Sequence, residues 1–204
     1  MSRIKRKLQI IAGVAGLALI TGCTSIELGQ KSAGADYLML ANFDSMLEVN
    51  DYDGSLFGYW NGFPDDITQK CEFNFFEPGM DGKGYCLKII YKVNSPYIAY
   101  NGFWMLFEDL DFHEYGKLTF WARTESNKTS PGLFKVELKN EEKKVVQKAI
   151  NNISTEWQKF EVDLKGNVFM EKWESIKEFV IVFAKDDVDA KEGVLFIDDI
   201  ALER

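Results

Sequence analysis

The stretch Lys117-Leu-Thr-Phe-Trp-Ala-Arg123 alternates along its length, with Leu118, Phe120 and Ala122 on one side. The stretch Leu133-Phe-Lys-Val-Glu-Leu-Lys139 repeats this pattern. A period of two is that of a β-strand with one buried face. Further strand-like runs follow at short intervals, over residues 85–93, 102–107, 157–164, 179–183 and 194–202. The pattern predicts an all-β fold, a two-sheet antiparallel β-sandwich.

The chain begins with a segment typical of an exported bacterial protein. Basic residues near the start precede an apolar run over 8–20, which is shorter than the roughly 20 residues of a membrane span. Ile20-Thr21-Gly22-Cys23 follows and resembles a bacterial lipobox, in which the cysteine thiol receives a diacylglycerol. Residues 1–22 are therefore predicted to be a lipoprotein signal peptide, with Cys23 as the lipidation site. The alternative is an ordinary signal peptide with a cysteine near its cleavage site.

The residues after Cys23 are small and polar, and they predict a lipidated flexible tether over 23–36. No second linker follows, so 37–204 is predicted to be one binding domain. Thr24 stands where an aspartate would favour retention at the inner membrane. We therefore expect the chain to be lipid-anchored at the cell membrane, and to lie at the outer membrane or cell surface if the organism has an outer membrane.

The chain is acidic, with 24 basic and 32 acidic residues and a net charge of -8. The basic leader is removed in the predicted mature form, which makes the remainder more acidic still. Such a domain repels phosphate backbones, so no nucleic acid partner is expected. It also has no electrostatic affinity for anionic lipid, so contact with the membrane is expected through the lipid anchor alone.

Two cysteines remain once Cys23 is assigned to lipid. Cys71 and Cys86 flank a turn-rich stretch at 76–82 that is typical of a hairpin tip. An exported protein reaches an oxidising compartment, where disulfides can form. If the hairpin is centred on this stretch, Cys71 and Cys86 lie opposite each other on its two strands. A Cys71–Cys86 disulfide is predicted, with two buried free thiols as the alternative.

The sequence carries few features of a catalytic site. His113 is the single histidine, and it has no nucleophile motif beside it. No Walker-type glycine loop is present, and the histidine count excludes a His-rich zinc site. The chain is therefore predicted not to be an enzyme.

Several stretches, taken in order, resemble the galactose-binding-like jelly rolls of carbohydrate-binding module family 11 and the related complex I intermediate-associated protein domains. They are Ala41-Asn-Phe-Asp-Ser45, Asp109-Leu-Asp-Phe-His-Glu-Tyr-Gly-Lys-Leu-Thr-Phe-Trp-Ala-Arg123, Trp157-Gln-Lys-Phe-Glu-Val-Asp-Leu164 and Gly193-Val-Leu-Phe-Ile-Asp-Asp-Ile-Ala-Leu202. The resemblance implies a β-jelly roll in which one concave sheet forms a sugar-binding cleft. Phe103 matches an aromatic residue of that cleft, where tyrosine is more usual, and Trp60 lies in an early loop near its edge. Trp104 is expected to alternate into the core.

The same resemblance implies one structural calcium ion that joins the first strand to the last. Asp44 matches the acidic residue after the early phenylalanine, and Asp198 matches the acid of the closing motif. Calcium takes about 6–8 oxygen ligands, which backbone carbonyls around 82–84 and water would complete. The alternative is that both aspartates only end strands and cap turns.

The outward sides of two strands carry a mixture of side chains that suits sugar recognition. If their apolar residues form the core, Trp121, Arg123, Lys135 and Glu137 lie opposite. An indole stacks on the CH-rich face of a sugar ring, while Arg123 and Glu137 hydrogen-bond to hydroxyls. Trp121, Arg123 and Glu137 are thus predicted to share one ligand-binding face, unless a loop covers Trp121.

These expectations favour a lipid-anchored, non-catalytic module that binds a polysaccharide or oligosaccharide in the bacterial envelope. The alternative is an assembly lipoprotein on the same fold that binds a protein partner and no sugar, because a fold does not fix a function.

Overall fold

The computed structural model describes residues 36–165 and 173–204. The predicted signal peptide, the lipidation site Cys23 and nearly all of the predicted tether lie outside this range. The described residues form the following strands: β1 Tyr37–Ala41, β2 Phe57–Asn61, β3 Gln69–Pro78, β4 Tyr85–Val93, β5 Tyr100–Leu110, β6 Lys117–Thr124, β7 Leu133–Asn140, β8 Val145–Asn151, β9 Gln158–Asp163, β10 Ile176–Ala184 and β11 Glu192–Glu203. Within 36–165 and 173–204, no helix has the length and apolar character to cross a membrane.

The strands form two antiparallel sheets. The six-stranded sheet has the order β3-β4-β11-β6-β9, with β1 paired to β11 as well, and the five-stranded sheet has the order β2-β5-β10-β7-β8. Strands that follow each other in the chain often lie in different sheets, as β6 and β7 do. The predicted two-sheet antiparallel β-sandwich is confirmed.

The core forms where the two sheets face each other. Phe120 from β6 and Phe134 from β7 are fully buried, and their ring centroids lie 6.4 Å apart across the interface. Phe183 from β10 stacks on Tyr91 from β4, with centroids 4.2 Å apart and planes 6° from parallel. The apolar sides predicted for β6 and β7 are the buried ones, because alternation along a strand assigns its inner face.

The two cysteines of the described region lie on opposite faces of the six-stranded sheet. Cys71 belongs to the main core, whereas Cys86 packs with Val194 and Phe196 on the outer face. The strand register pairs Cys71 with Tyr91 and Cys86 with Glu77. At about 3.4 Å per residue, the two cysteines are separated by roughly 17 Å along the strands. The predicted disulfide is wrong, and both residues are buried free thiols, since a bridge needs Cα atoms within about 7 Å.

Candidate functional site

The outer face of the five-stranded sheet, hereafter the five-strand face, brings aromatic and polar side chains together in rows. Register places one row across all five strands: Gly58, Trp104, Val180, Glu137 and Gln147. The adjacent row runs through Trp60, Gly102, Val182, Lys135 and Ala149. Each row therefore begins with an indole or its glycine partner on β2–β5 and reaches polar side chains toward the other edge of the sheet, Glu137 and Gln147 in the first row and Lys135 in the second.

Glycines on β2 and after it let the aromatic rings lie against the backbone. A Cβ atom on Gly58 would lie 2.7 Å from Cζ2 of Trp104, and one on Gly62 would lie 2.4 Å from Cε2 of Tyr100. The Trp104 indole also donates a hydrogen bond to the Tyr59 carbonyl at 3.3 Å. A side chain at either glycine would displace a ring. The two glycines therefore allow the rings of Trp104 and Tyr100 to pack directly against the backbone and hold them in place.

Trp60, Tyr100 and Trp104 form the aromatic half of the five-strand face. The Trp60 and Tyr100 ring centroids lie 5.7 Å apart, with planes at 52°. All three side chains are partly exposed. Flat, partly solvated rings of this kind offer apolar surface to a ligand without the cost of first unpacking a core.

The polar half carries charged side chains that are already paired. Lys135 contacts Asp187 at 2.6 Å, and Lys139 contacts Glu178 at 3.1 Å. Gln147 donates a hydrogen bond from Nε2 to Oε1 of Glu137 at 2.7 Å. These pairs fix the side chains and leave donors and acceptors at the surface, which suits a neutral ligand with many hydroxyl groups.

The five-strand face contains Trp60 and Glu137 from the predicted site, but not Trp121 or Arg123. Those two residues are on β6, which belongs to the six-stranded sheet, and they lie on its outer face. The prediction that Trp121, Arg123 and Glu137 share one face is wrong, because β6 and β7 lie in different sheets.

Arg123 has packing partners of its own on the six-stranded sheet. Its guanidinium lies 3.8 Å from the centroid of the Phe196 ring and 5.2 Å from that of Trp157. Such contacts combine a cation–π attraction with cover for apolar surface. They account for the near-complete burial of Phe196 on an outer face.

Phe103 and Trp104 occupy the opposite faces from those expected. Phe103 is fully buried and contacts Phe57 with ring centroids 5.3 Å apart, so it has no surface for a sugar. Trp104 points outward instead. The run at 102–107 is apolar at nearly every position, and its alternation therefore does not indicate which side faces the core. The signal that sequence reasoning missed is the spacing of Gly58 and Gly62 around Trp60.

Asp44 and Asp198 line a separate small pocket of about 280 Å³ beside the end of β1 and the middle of β11, together with Asp81, Asp199 and other residues. Asp44 accepts a hydrogen bond from the Tyr85 amide at 2.9 Å, and Asp198 accepts one from the Met80 amide at 2.7 Å. Burial, with the charges of Asp199 and Asp44, raises the pKa of Asp198 to about 7. The pocket thus concentrates negative charge at the tip of the β3–β4 hairpin.

The donor chemistry of this pocket fits calcium, which prefers carboxylate and carbonyl oxygens. Among residues 36–165 and 173–204, however, no three His, Cys, Asp or Glu side chains gather closely enough to hold a metal by themselves. Asp44 and Asp198 would be the carboxylate ligands, and backbone carbonyls and water would complete the shell. Calcium binding stays a prediction.

No protein-family model and no curated protein sequence match the chain. Its fold is similar to that of solved carbohydrate-binding structures. The family 11 module of the cellulosomal cellulase Lic26A-Cel5E of Clostridium thermocellum is 15% identical, with a TM-score of 0.59 and coverage of 82% of this chain and 94% of that one. The family 11 module from the same organism in complex with a β-1,3-1,4-mixed-linked tetrasaccharide is 14% identical, with a TM-score of 0.61 and coverage of 82% and 95%.

An exo-β-agarase is also similar, at 13% identity and a TM-score of 0.58, with coverage of 81% of this chain but 25% of the agarase. The chain therefore matches nearly the whole of the stand-alone modules and a minor part of the larger enzyme. At these identities the likeness concerns the fold: this chain has the antiparallel β-sandwich seen in family 11 carbohydrate-binding modules.

Proposed function

We propose that the chain is a non-catalytic carbohydrate-binding module that binds a polysaccharide or oligosaccharide on the five-strand face. The observation that supports this most directly is the row in which Trp104 lies on the same face as Glu137 and Gln147. Aromatic rings would stack on the CH-rich faces of sugar rings, and the polar half would hydrogen-bond to their hydroxyls. The tetrasaccharide bound by a module of the same fold makes mixed-linked β-glucan the first ligand to test.

The affinity of one such face should be modest. Each sugar hydroxyl exchanges hydrogen bonds with water for hydrogen bonds with protein, at a small net gain. The aromatic contacts therefore decide binding, and each contributes about 0.5–1.5 kcal/mol beyond its area burial. Several adjacent contacts are needed before the ordering of a flexible glycan is offset.

Removing the Trp104 ring is expected to weaken glycan binding at least about tenfold, since both stacking and apolar contact are lost. Affinity electrophoresis against glucans, mannans, xylans and agarose, followed by calorimetry on the best ligand, measures the change. Trp121→Ala is the matched control, because Trp121 is a partly exposed indole on the other sheet. The opposite result would contradict the proposal. If Trp121→Ala abolishes binding and Trp104→Ala leaves it intact, the sugar site lies on the six-stranded sheet instead.

A protein-binding role is the second candidate, and one observation favours it. The outer face of the six-stranded sheet displays Arg123 beside Trp157 and Phe196, and Phe76 of the same sheet is 81% exposed. Arginine and aromatic residues are enriched at the centres of protein interfaces. A stoichiometric partner recovered from detergent-solubilised envelope, together with no binding to any glycan of the panel, would decide for this role.

The proposal extends to the location of the chain. The lipobox-like sequence supports lipid attachment at Cys23, with the module held by a tether at a membrane that its acidic surface would not otherwise bind. Thr24 supports an outer-membrane or cell-surface position. Labelling with palmitate in the producing bacterium is expected to mark the wild-type chain and not the Cys23→Ser variant. The variant should be recovered in the soluble fraction and not with the membranes. Labelling of both would remove the assignment of Cys23.

A structural calcium ion is also proposed, held by Asp44 and Asp198 at the hairpin tip. The pocket's concentration of carboxylates supports it, because a bound cation would offset their mutual repulsion. The ion would supply no catalytic chemistry; it would join the segment after β1 and the middle of β11 to the β3–β4 hairpin.

A further inference from the structure

A cleft of about 890 Å³ lies at one end of the sandwich, beyond the rows of the five-strand face. Its apolar walls include Phe63, Tyr97 and Ile98, and its carboxylates come from Asp65, Asp66 and Asp186. This size lies within the range of small-molecule sites, about 300–1,000 Å³. The cleft, hereafter the loop-end cleft, is thus large enough for a sugar unit.

Asp66 holds the loops of this cleft together. Its carboxylate accepts hydrogen bonds from the Ser95 hydroxyl at 2.7 Å and from Nε2 of Gln69 at 3.1 Å, as well as from Thr68. Gln69 in turn accepts a hydrogen bond from the Tyr100 amide at 3.2 Å. The bonds from Thr68, Ser95 and Gln69 lower the pKa of Asp66, so it stays ionised. The segment after β2 and the segment before β5 are therefore fixed relative to each other before any ligand arrives.

Exposed side chains line the mouth of the loop-end cleft. Tyr97 is 78% exposed and Ile98 is 69% exposed. The backbone beneath them is nevertheless anchored: Lys185 donates a hydrogen bond from its amide to the Ala99 carbonyl at 2.8 Å and from Nζ to the Tyr97 carbonyl at 3.3 Å. Apolar side chains held out in water on a fixed backbone are typical of a contact surface for a ligand.

The cleft and the aromatic half of the five-strand face are continuous. The Phe63 ring centroid lies 5.7 Å from that of Tyr100, which lies 5.7 Å from that of Trp60. A line of three rings thus runs from the cleft wall onto the sheet. A ligand long enough to cover Trp60 and Trp104 would reach the cleft without leaving aromatic surface.

The charge of the cleft selects among sugars. Asp65, Asp66 and Asp186 outnumber Lys185, the basic residue of its lining. Asp66 already accepts hydrogen bonds from Thr68, Gln69 and Ser95, so Asp65 and Asp186 are the carboxylates that can accept hydrogen bonds from neutral hydroxyl groups. All three carboxylates repel uronate or sulfate groups. Aromatic walls with acidic acceptors therefore suit a neutral sugar unit and disfavour an anionic one.

We propose that the loop-end cleft is a second sugar subsite, which binds neutral sugar units of a glycan whose remaining units lie on the aromatic half of the five-strand face. This inference rests on the proposed carbohydrate-binding function. It adds a contact region outside the sheet and a preference for uncharged glycans.

The test is calorimetric titration of the full-length mature chain with a mixed-linked β-glucan hexasaccharide and with the same glucan oxidised to carry uronate groups. Tyr97→Ala is expected to weaken binding of the neutral hexasaccharide about tenfold, as the loss of one stacking platform should. Phe76→Ala is the control, because Phe76 is 81% exposed on the other sheet. The oxidised glucan is expected to bind the wild type at least about tenfold more weakly than the neutral one.

The outcomes separate the two ideas. If Trp104→Ala loses binding while Tyr97→Ala binds as the wild type does, the cleft subsite is overturned and the proposed function stands. If Tyr97→Ala loses binding while Trp104→Ala does not, the sheet face is overturned as a binding site, and with it the proposal that the cleft is a second subsite of that face. If the wild type binds neither this hexasaccharide nor any glycan of the panel, the proposed function and the cleft subsite are both contradicted.

Discussion

Asn101→Asp is expected to lower the free energy of unfolding by about 3–5 kcal/mol, the range typical of an uncompensated buried charge. Asn101 is fully buried at the start of β5. Its Nδ2 donates hydrogen bonds to the Lys70 carbonyl at 3.0 Å and to the Lys92 carbonyl at 2.7 Å. Those carbonyls belong to β3 and β4, so one side-chain amide joins the five-stranded sheet to the six-stranded one.

An aspartate at this position has the same shape but no donor. At neutral pH its carboxylate would face two carbonyl oxygens, and either the charge stays buried or the group takes up a proton. Both routes destabilise the fold, and the second restores only one of the two hydrogen bonds. The loss should therefore be larger at pH 8 than at pH 5.

Urea unfolding followed by tryptophan fluorescence at both pH values measures the change. Asn151→Asp is the matched control, because Asn151 is an exposed asparagine at the end of β8. It is expected to alter stability by less than about 0.5 kcal/mol. Stability of Asn101→Asp within about 1 kcal/mol of the wild type would mean that this bridge does not hold the sheets together.

Alternation in the sequence is sufficient to predict strands and their inner faces, but not which sheet a strand joins. Leu118, Phe120 and Ala122 are buried as the pattern of β6 requires. The pattern of β7 is equally clear, yet the connection between the two strands crosses from one sheet to the other. A period of two shows which side of a single strand faces the core. It does not show from which side of the core the strand packs, so two such strands can belong to opposite sheets. This is why Trp121 and Glu137 were predicted together and lie apart.

The candidate site depends on features that a single sequence encodes only weakly. Trp104 reaches the surface because Gly58 opposite it on β2 leaves room for the ring. The loop-end cleft depends on Asp66, which contacts Ser95 far along the chain. Both features are contacts across strands or loops, and their partners can be named only once the register is known.

Only the family resemblance predicts a shared role for Asp44 and Asp198, and these two residues line the same pocket. They come from opposite ends of the domain, and β1 pairs with β11 beside them. Phe43 and Asp199 adopt positive φ angles of 61° and 47° at this point, a conformation that costs free energy for residues other than glycine. The strained backbone just after β1 and at the register shift within β11 lies beside the acidic pocket, and the free energy of binding a cation there would offset this cost.

Calcium is accordingly expected to raise the melting temperature by roughly 5–10 °C. Binding at a free concentration of about one hundred times Kd adds about 2.7 kcal/mol to stability. For a domain of this size each kcal/mol corresponds to a shift of about 2–4 °C. The source of the gain is electrostatic: without a cation, Asp198 and Asp199 have pKa values raised by burial and by neighbouring carboxylates that include Asp44.

Thermal unfolding at pH 8 in EDTA and in millimolar calcium, at equal ionic strength, measures this shift. Magnesium is expected to have a smaller effect, because it demands octahedral geometry and keeps its waters. Asp198→Asn should lose most of the calcium response, whereas Asp163→Asn, an exposed aspartate on β9, should keep it. Equal melting temperatures with and without calcium would contradict the calcium site. Asp44 and Asp198 would then act only as hydrogen-bond acceptors for the backbone amides of Tyr85 and Met80 at the hairpin tip.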